Sequence, residues 1–143
     1  MRSWIVYSLL LFTLTACQPQ AAAVPVTIET QSGARVFQTE LARTPQQKER
    51  GLMFRDTLAS DHAMLFIFPQ EDTVRFWMKN TRIPLDMLFI RHDGIIVHIH
   101  PMAKPYDETL ISSFAPVKMV LEISGGEAAK QGITVGDRVL VKE

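Results

Sequence analysis

The sequence predicts a single, mainly β domain, an antiparallel sandwich or barrel with two short α-helices. About eight short segments alternate apolar and polar residues or are apolar throughout, which is typical of strands in such folds. An Asp93-Gly94 pair between two of these segments is a strong signal for a two-residue hairpin turn. Only two segments carry helix start and stop signals. The 143-residue chain has room for one domain with a substantial core, which we place at 25–143.

The first predicted elements are a hairpin and a helix. Residues 26–30 and 35–41 alternate apolar and polar side chains around a Ser-Gly pair, which favours an antiparallel hairpin. Thr44 and Gln47 have the spacing of a capping box, and a proline follows Thr44 at the first helical position. The sequence therefore predicts a helix over 45–50.

Two strands are predicted in the middle of the chain. Residues 64–68 are apolar on both faces, which is typical of a central strand covered on both sides. A loop is predicted over 69–73. Residues 74–78 alternate again, and the loop after them carries a Lys-Asn-Thr turn and a proline. The side chains predicted to point inward are Val74, Phe76 and Met78, and those predicted to point outward are Arg75, Trp77 and Lys79.

The hairpin over 85–91 and 95–101 allows its side chains to be assigned to faces. A two-residue turn fixes the register, so one face becomes aliphatic and the other carries aromatic, sulfur and imidazole groups. Asp86 falls on the aliphatic face at the start of the first strand. The predicted opposite pairs are Ile90 with Val97, Leu88 with Ile99, Phe89 with His98, and Met87 with His100.

The last part of the chain is predicted to contain an irregular connection, two strands and a helix. Residues 104–116 show no periodicity, whereas 117–123 are typical of a strand. Ser124 and Glu127 have the spacing of a second capping box, which predicts a short helix ending at Gly132. The final strand is predicted over 138–141.

The N-terminus has the features of a signal peptide over residues 1–16. Arg2 supplies a positive charge, and residues 4–14 form an apolar run that is too short to span a bilayer as a stable helix. The Leu-Thr-Ala-Cys sequence at 14–17 also resembles the lipobox of bacterial lipoproteins. In those proteins the cysteine is lipidated and the signal is cut just before it.

Cys17 is the single cysteine of the chain. Lipidation would give a use to a thiol that is otherwise a liability in an oxidising compartment. Residues 17–24 would then form the lipidated cysteine and a flexible tether. Gln18 follows the cysteine, and by resemblance to the sorting rule of Gram-negative lipoproteins this favours the outer membrane. We expect an exported envelope protein that faces the periplasm and is held to the membrane by its lipid.

Charge and motifs exclude several classes of function. The chain has 15 basic and 15 acidic side chains and no net charge, whereas a nucleic-acid-binding surface needs a basic excess or a basic stripe. We therefore expect no nucleic-acid partner. The sequence contains no phosphate-binding loop, no His-Glu-x-x-His pair and no Gly-x-Ser-x-Gly elbow. We expect no cofactor, and these motifs give no candidate catalytic residue.

Six short motifs over residues 40–139 resemble a known family. They are RGLMFR (50–55), MLFIF (64–68), FWMKNT (76–81), IPLDMLFI (83–90), VLEI (120–123) and GDRV (136–139). This set is similar to the bacterial and archaeal family known as domain of unknown function number 192. The resemblance implies a β-sandwich of jelly-roll type and no particular enzymatic activity. Ala63 departs from the family, which usually has a glycine before MLF.

The first candidate site is the outward face of 75–79. Trp77 between Arg75 and Lys79 offers a stacking platform with cations on both sides, which suits a glycan, a carboxylate or a phosphate. The alternative is a solvated face on which the basic stems cover the indole. With Asn80, Asp86 and Arg50 added, these residues are the predicted ligand-binding set, and we call the segment 75–86 the corner.

Asp86 is the second candidate. A carboxylate on an aliphatic face must be paired or hydrogen-bonded, because burying it alone costs several kcal/mol. The predicted partners are Arg50, Arg55, Lys79 or backbone amides of the 79–83 turn. This acid either holds the turn in place or takes part in ligand binding or catalysis.

The third candidate is a soft-metal site. His98, His100 and Met102 share one predicted strand face, and Met87 lies opposite His100. Imidazole and thioether ligands together suit Cu(I). The alternative is ordinary packing, because methionine on strands is usually core filler.

These observations lead to a first expectation and two alternatives. The first is a lipid-anchored, non-enzymatic envelope protein that binds a small molecule, a glycan or a protein through the corner. The second is an envelope hydrolase or glycan-modifying enzyme that uses Asp86 with Glu122 or Asp137. The third is soft-metal handling. A shallow aromatic and basic pocket would favour binding, whereas a deep pocket with two close carboxylates would favour the enzyme.

Overall fold

The computed structural model describes residues 23–142, which form nine β-strands and two short α-helices. The mainly β class with two short helices is therefore confirmed. The predicted signal peptide, Cys17 and most of the tether lie outside the described residues. The elements are β1 (Val24–Thr30), β2 (Gly33–Ala42), α1 (Pro45–Arg50), β3 (His62–Asp72), β4 (Arg75–Phe76), β5 (Leu85–Ile90), β6 (Ile96–Ala103), β7 (Ile111–Ser112), β8 (Val117–Ser124), α2 (Glu127–Gln131) and β9 (Arg138–Val141).

Seven of these strands form one sheet, in the order β6-β5-β8-β3-β2-β1-β9, and β4 pairs with β7 in a separate ribbon. The strand pairs are antiparallel except for β2 and β3, which run parallel. The expectation of an entirely antiparallel sheet is therefore wrong at this pair. The pair is parallel because the connection over 43–61, which includes α1, carries the chain back along β2. Strand β3 therefore runs in the same direction as β2. The jelly-roll arrangement stays a prediction.

The sheet curls until its two edge strands meet at one end. Ile95 forms an isolated bridge with Arg138. The Val139 N–H donates to the Gly94 carbonyl at 2.8 Å, and the Ile96 N–H donates to the Asp137 carbonyl at 3.0 Å. These bonds join the start of β6 to the start of β9, so the polar groups of both edges are satisfied there.

Two hydrophobic clusters lie on the two faces of the curled sheet. The first takes buried side chains from all seven strands and from α2, and its largest members include Phe37, Leu65, Leu88 and Leu121. The second lies on the other face of β3, β5 and β8, where Leu52 and Met78 cover Phe66, Met87 and Phe89. Because adjacent residues of a strand point to opposite faces, each of these three strands contributes to both clusters.

Several elements match their predictions. The first hairpin forms as expected, with β1 and β2 in antiparallel register. Helix α1 spans Pro45–Arg50, and its capping box is present. The Gln47 N–H donates to Thr44 Oγ1 at 3.2 Å, and the Thr44 N–H donates to Gln47 Oε1 at 3.0 Å. Strand β9 also has the predicted bounds, Arg138–Val141.

The register of the β5–β6 hairpin is confirmed at three of its four predicted pairs, which are Met87 with His100, Leu88 with Ile99, and Phe89 with His98. The fourth pair is wrong, because Ile90 lies opposite Ile96 instead of Val97. An irregularity between Phe89 and Ile90 shifts the strands by one residue there.

Several boundaries differ from the predictions. Strand β6 runs over Ile96–Ala103, and β7 lies within the connection over 104–116 that was predicted to be irregular. Strand β3 continues to Asp72 through the predicted loop, and Pro69, which has no N–H, sits within the irregular part of its pairing with β8. Strand β4 is reduced to Arg75–Phe76. Helix α2 is capped at Gly126, with φ of 86°, and no side chain of its own segment caps it. The predicted capping box at Ser124 is therefore wrong.

No helix of the described residues is both long enough and apolar enough to cross a membrane.

Candidate functional site

A cavity of about 420 Å³ opens between the end of α1 and the strands β3 and β4. We call it the Trp77 cavity. Its wall is mostly aromatic and aliphatic, its rim is mostly basic, and it contains two acids. The lining residues are Lys48, Glu49, Arg50, Gly51, Leu52, Met53, Phe66, Phe68, Val74, Arg75, Phe76, Trp77, Thr81, Leu110 and Glu122. A volume in this range suits a small molecule.

Phe76 is the centre of the aromatic wall. Its ring meets Phe66, Phe68 and Phe89 edge to face, with ring centroids 5.1, 6.5 and 6.2 Å apart. Such edge-to-face pairs add stabilisation beyond the area they bury, and they fix the orientation of the ring. The apolar wall is therefore a preformed surface. Trp77, the next residue, remains 42% exposed at the mouth.

Three cations surround the mouth of the cavity. Lys48 and Arg50 come from α1, and Arg75 comes from β4. The Lys48 Nζ lies 4.9 Å from the centre of the Phe68 ring, which places its charge over an aromatic face. Within residues 23–142, neither Arg50 nor Arg75 forms an ion pair. These guanidinium groups are available to an anionic ligand.

A second depression of about 320 Å³ shares Arg50 and Trp77 with this cavity and also contains Lys79 and Asn80. The Lys79 Nζ lies 5.0 Å from the centre of the Trp77 ring. The Lys79 ammonium therefore lies over one face of the Trp77 ring as a cation–π contact. Five of the six predicted ligand-binding residues line the two depressions, and Asp86 is the exception.

The corner is fixed to its neighbours by backbone hydrogen bonds. Asn80 adopts a left-handed conformation, with φ of 55°, which asparagine tolerates better than most residues. Its carbonyl accepts from the Phe54 N–H at 2.9 Å, and the Met78 N–H donates to the Asp107 carbonyl at 2.8 Å. The predicted alternation is also confirmed, because Met78 is buried and Trp77 faces outward. The backbone thus holds Trp77 between the two depressions.

Glu122 of β8 is the acid deep in the Trp77 cavity. It is only 4% exposed, and it lies directly opposite Met64 of β3 and Met87 of β5. Among residues 23–142, the carboxyl group of Glu122 has no hydrogen-bond or ion-pair partner. Burial raises the pKa of its carboxyl to about 8. Near neutral pH this group is therefore mostly a neutral carboxylic acid.

Sequence reasoning considered Glu122 only as a partner for Asp86 and missed its place in the cavity. The signal was present, because an acid interrupts the otherwise apolar strand at 120–123. Asp86 lies opposite Ile123, so Asp86 and Glu122 point to opposite faces of the sheet. The pairing of these two acids that the hydrolase alternative invoked is not formed.

Asp86 is fully buried and hydrogen-bonded, as predicted, but its partners differ from those expected. Its Oδ1 accepts from the Met102 N–H at 2.8 Å and the Gly126 N–H at 2.9 Å, and its Oδ2 accepts from the Ala128 N–H at 2.9 Å. The carboxylate therefore caps α2 from another strand, which explains why that helix needs no local side-chain cap. The expected partners Arg50, Arg55, Lys79 and the 79–83 turn were wrong.

Arg55 is held by a different acid. It donates to both carboxylate oxygens of Glu40, at 2.6 and 2.7 Å. The hydrogen bonds to Glu40 raise the pKa of Arg55. This fork-shaped pair joins the chain after α1 to strand β2, and so helps to hold the cavity's α1 side against the sheet.

The members of the predicted histidine and methionine set have different surroundings. His98 stacks on Phe89, with ring centroids 5.4 Å apart, and its Nε2 is buried without a hydrogen-bond partner. Burial lowers the pKa of His98, and the nearby His100 adds to this effect. Met87 is fully buried in the second cluster, and Met102 adopts φ of 52° with its sulfur beside Gly125. In the part of the chain that the structure describes, no three His, Cys, Asp or Glu residues form a metal-binding group.

Comparisons with known proteins add relatives of similar fold. One similar solved structure is a putative transcription regulator from Sinorhizobium meliloti 1021. It is 44% identical to this chain with a TM-score of 0.84, and the match covers 87% of this chain and 97% of that protein. A protein of unknown function from Novosphingobium aromaticivorans DSM 12444 is 43% identical with a TM-score of 0.80 and covers 90% of this chain and 99% of its own. A search of curated proteins gives no match.

The family model described as DUF192, an uncharacterized ACR, matches residues 26–141, which is nearly all of the described domain. This match includes α1, β4, the corner and β8, and therefore every residue that lines the Trp77 cavity. The resemblance noted in the sequence is thus confirmed, and the chain belongs to the DUF192 family.

Proposed function

We propose that this protein is a lipid-anchored, non-enzymatic binding module of the cell envelope, which takes an anionic small molecule with an apolar body into the Trp77 cavity. The observation that carries the proposal is the combination of a preformed aromatic wall with three cations at its mouth. Lys48, Arg50 and Arg75 supply those cations. The aromatic and basic lining is the one expected of a binding pocket, and the acid pair of Asp86 and Glu122 expected of an enzyme is not formed.

The two parts of the cavity favour the two parts of such a ligand. An apolar body against Phe76 and Trp77 removes apolar surface from water, at about 25 cal/mol per Å². A carboxylate or phosphate at the mouth makes charge-assisted hydrogen bonds, which are about twice as strong as neutral ones. Arg50 and Arg75 are suited to this role because a guanidinium binds such oxygens through two parallel N–H groups.

The observations do not favour the enzyme alternative. It relied on Asp86, whose carboxylate is fully buried and accepts three backbone N–H bonds. Asp86 also points to the face of the sheet opposite to Glu122 and does not line the Trp77 cavity. Asp137 has its own role, since it accepts from the Thr134 N–H at 2.7 Å.

The Sinorhizobium relative carries the name of a transcription regulator, but DNA binding receives no support from this chain. A DNA-binding surface needs an excess of lysine and arginine to neutralise phosphates. The chain has 15 basic and 15 acidic side chains. We therefore propose a small-molecule ligand and no nucleic-acid partner.

The anchor is supported by the sequence before residue 23. A signal peptide over 1–16, a lipobox cysteine at Cys17 and a short tether to β1 together fit an exported lipoprotein. Gln18 after the cysteine fits the outer membrane, with the domain facing the periplasm.

An unbiased ligand screen by thermal shift tests the proposal. Ligands that bind only the folded state raise its stability with concentration, so weak binders register. Hits should be anions with an apolar body, and Trp77→Ala should abolish their shifts. Tyr106→Ala is the matched control, because Tyr106 is an exposed aromatic (61%) that lines neither of the two depressions. Hits that survive Trp77→Ala, or hits that Tyr106→Ala abolishes equally, would contradict the assignment of the cavity.

A further inference from the structure

Glu122 occupies an unusual position for an acid. Its side chain lies in the wall of the Trp77 cavity, is 4% exposed, and has no hydrogen-bond or ion-pair partner among the described residues. Buried polar groups in native proteins nearly always have a partner. A buried, unpartnered carboxyl that lines a cavity therefore points to a partner that occupies the cavity.

The surroundings of Glu122 determine which form of the carboxyl is present. Its neighbours across the sheet, Met64 and Met87, are both apolar. The ionisable groups that share the cavity with it are the α1 residues Lys48, Glu49 and Arg50 and the β4 residue Arg75, and none of them pairs with it. A carboxyl without a compensating charge or donor favours its neutral form. That form has one O–H donor, which an ionised carboxylate lacks.

The cavity is therefore polarised along its depth. The lining residues Arg50 and Arg75 are exposed, whereas Glu122, which offers a neutral hydrogen-bond donor, is only 4% exposed. An anion directed inward would meet no cation there and would lose its hydration. An uncharged acceptor, such as a carbonyl or ether oxygen, would satisfy the carboxyl and be satisfied by it.

We propose that Glu122 acts as a neutral carboxylic acid that donates a hydrogen bond to an uncharged oxygen at the inner end of the ligand. This inference rests on the proposed function and defines its ligand class further. The ligand carries an anionic group at one end, an apolar body in the middle, and a carbonyl or ether acceptor at the other end. Glu122 is then a specificity-determining residue that selects against ligands with a second, inward charge.

A matched pair of probes tests this role. 4-Acetylbenzoate and 4-ethylbenzoate share the anion and the ring, and they differ in the acceptor at the far end. Binding to the purified full-length protein is measured by calorimetry or ligand-observed NMR at pH 6 and pH 9. At pH 6 the acetyl probe should bind about fivefold more tightly, which is the effect of one net hydrogen bond. At pH 9, where Glu122 is mostly ionised, this preference should disappear.

Two variants separate the donor from the shape of the side chain. Glu122→Gln keeps a donor that does not titrate, so the preference for the acetyl probe should persist at both pH values. Glu122→Met fills similar space without a donor, and the preference should be lost at both. Equal affinities of wild-type protein for the two probes at pH 6, with both bound in a Trp77-dependent way, would overturn the role of Glu122 and leave the proposed function standing.

A third probe, 4-(aminomethyl)benzoate, tests the opposite charge state. If it binds more tightly than the acetyl probe, and more tightly as the pH rises, Glu122 is an anionic partner for amines and the inference is wrong. If none of the three probes binds and the thermal-shift screen gives no Trp77-dependent ligand, the proposed function itself fails, and the inference fails with it.

Discussion

Replacing Glu122 by glutamine should change how the stability of the protein depends on pH. The ordinary pKa of this carboxyl is 4.5, and burial raises it to about 8 in the folded protein. Between these two values the unfolded chain has released the proton while the folded protein retains it. Because the folded state binds more protons in this window, raising the pH destabilises the wild-type protein. Glutamine does not titrate, so the variant lacks this loss.

The size of the effect follows from the distance between the two pKa values. In the window from pH 4.5 to pH 8, the titration of Glu122 raises the equilibrium constant for unfolding by up to tenfold per pH unit. Over the whole window this corresponds to about 5 kcal/mol of lost unfolding free energy, as an upper figure. The stability of Glu122→Gln relative to wild type should therefore rise steadily with pH and level off above about pH 8.

Urea unfolding at pH 5.5, 6.5, 7.5 and 8.5 measures this difference. Other titrating groups cancel because wild type and variant share them. Glu127→Gln is the control, since hydrogen bonds from Gln131 and Lys130 lower the pKa of Glu127. Glu127 therefore remains ionised over this range, and the stability gap between its variant and wild type should stay constant with pH. A constant gap for Glu122→Gln as well would refute the argument that burial keeps this acid neutral.

Three other substitutions test the anchor, the Asp86 cap and the closure of the sheet. Cys17→Ala should move the protein from the membrane fraction to the soluble fraction, and an unchanged distribution would contradict lipidation. Asp86→Ala leaves one buried and two part-buried N–H donors without their acceptor and should cost on the order of 3 kcal/mol in urea unfolding; a cost under about 1 kcal/mol would contradict the capping role. Gly94→Ala places a Cβ 2.6 Å from the Val139 carbonyl oxygen, whereas Gly136→Ala meets open space at a similarly positive φ. Gly94→Ala should therefore cost at least about 2 kcal/mol more in the same assay, and equal costs would be evidence against the closure.

The parts of the fold that could be predicted depend on residues close together in the chain. The Thr44–Gln47 box and its helix are complete within one turn, and Asp93-Gly94 specifies its own hairpin. The parallel pairing of β2 with β3 could not be predicted. Local sequence patterns indicate where a strand forms, but they do not determine which other strand it pairs with. The cap of α2 was mispredicted at Ser124, since the group that supplies it is Asp86, 40 residues before the helix's cap residue.

In the candidate site, too, the features that could be predicted are those that depend on residues close together in the chain. Alternation along 74–78 was enough to place Trp77 outward and Met78 in the core. The inward position of Asp86 followed from the hairpin register. The burial of Glu122 could not be predicted, because it depends on β8 lying between β3 and β5, where Met64 and Met87 flank it. An acid on an edge strand with the same local sequence would face water.

The Asp86 cap also has a consequence for the order in which the protein folds. The carboxylate joins backbone groups that are 16, 40 and 42 residues away along the chain. A helix of five residues is too short to be stable alone, so α2 depends on the loop closure that brings β5 and β8 together. Helix α1 carries its own cap and can start to form before any distant contact exists. The capping contacts of α1 therefore require only neighbouring residues, whereas those of α2 can form only after β5 has been brought beside β8.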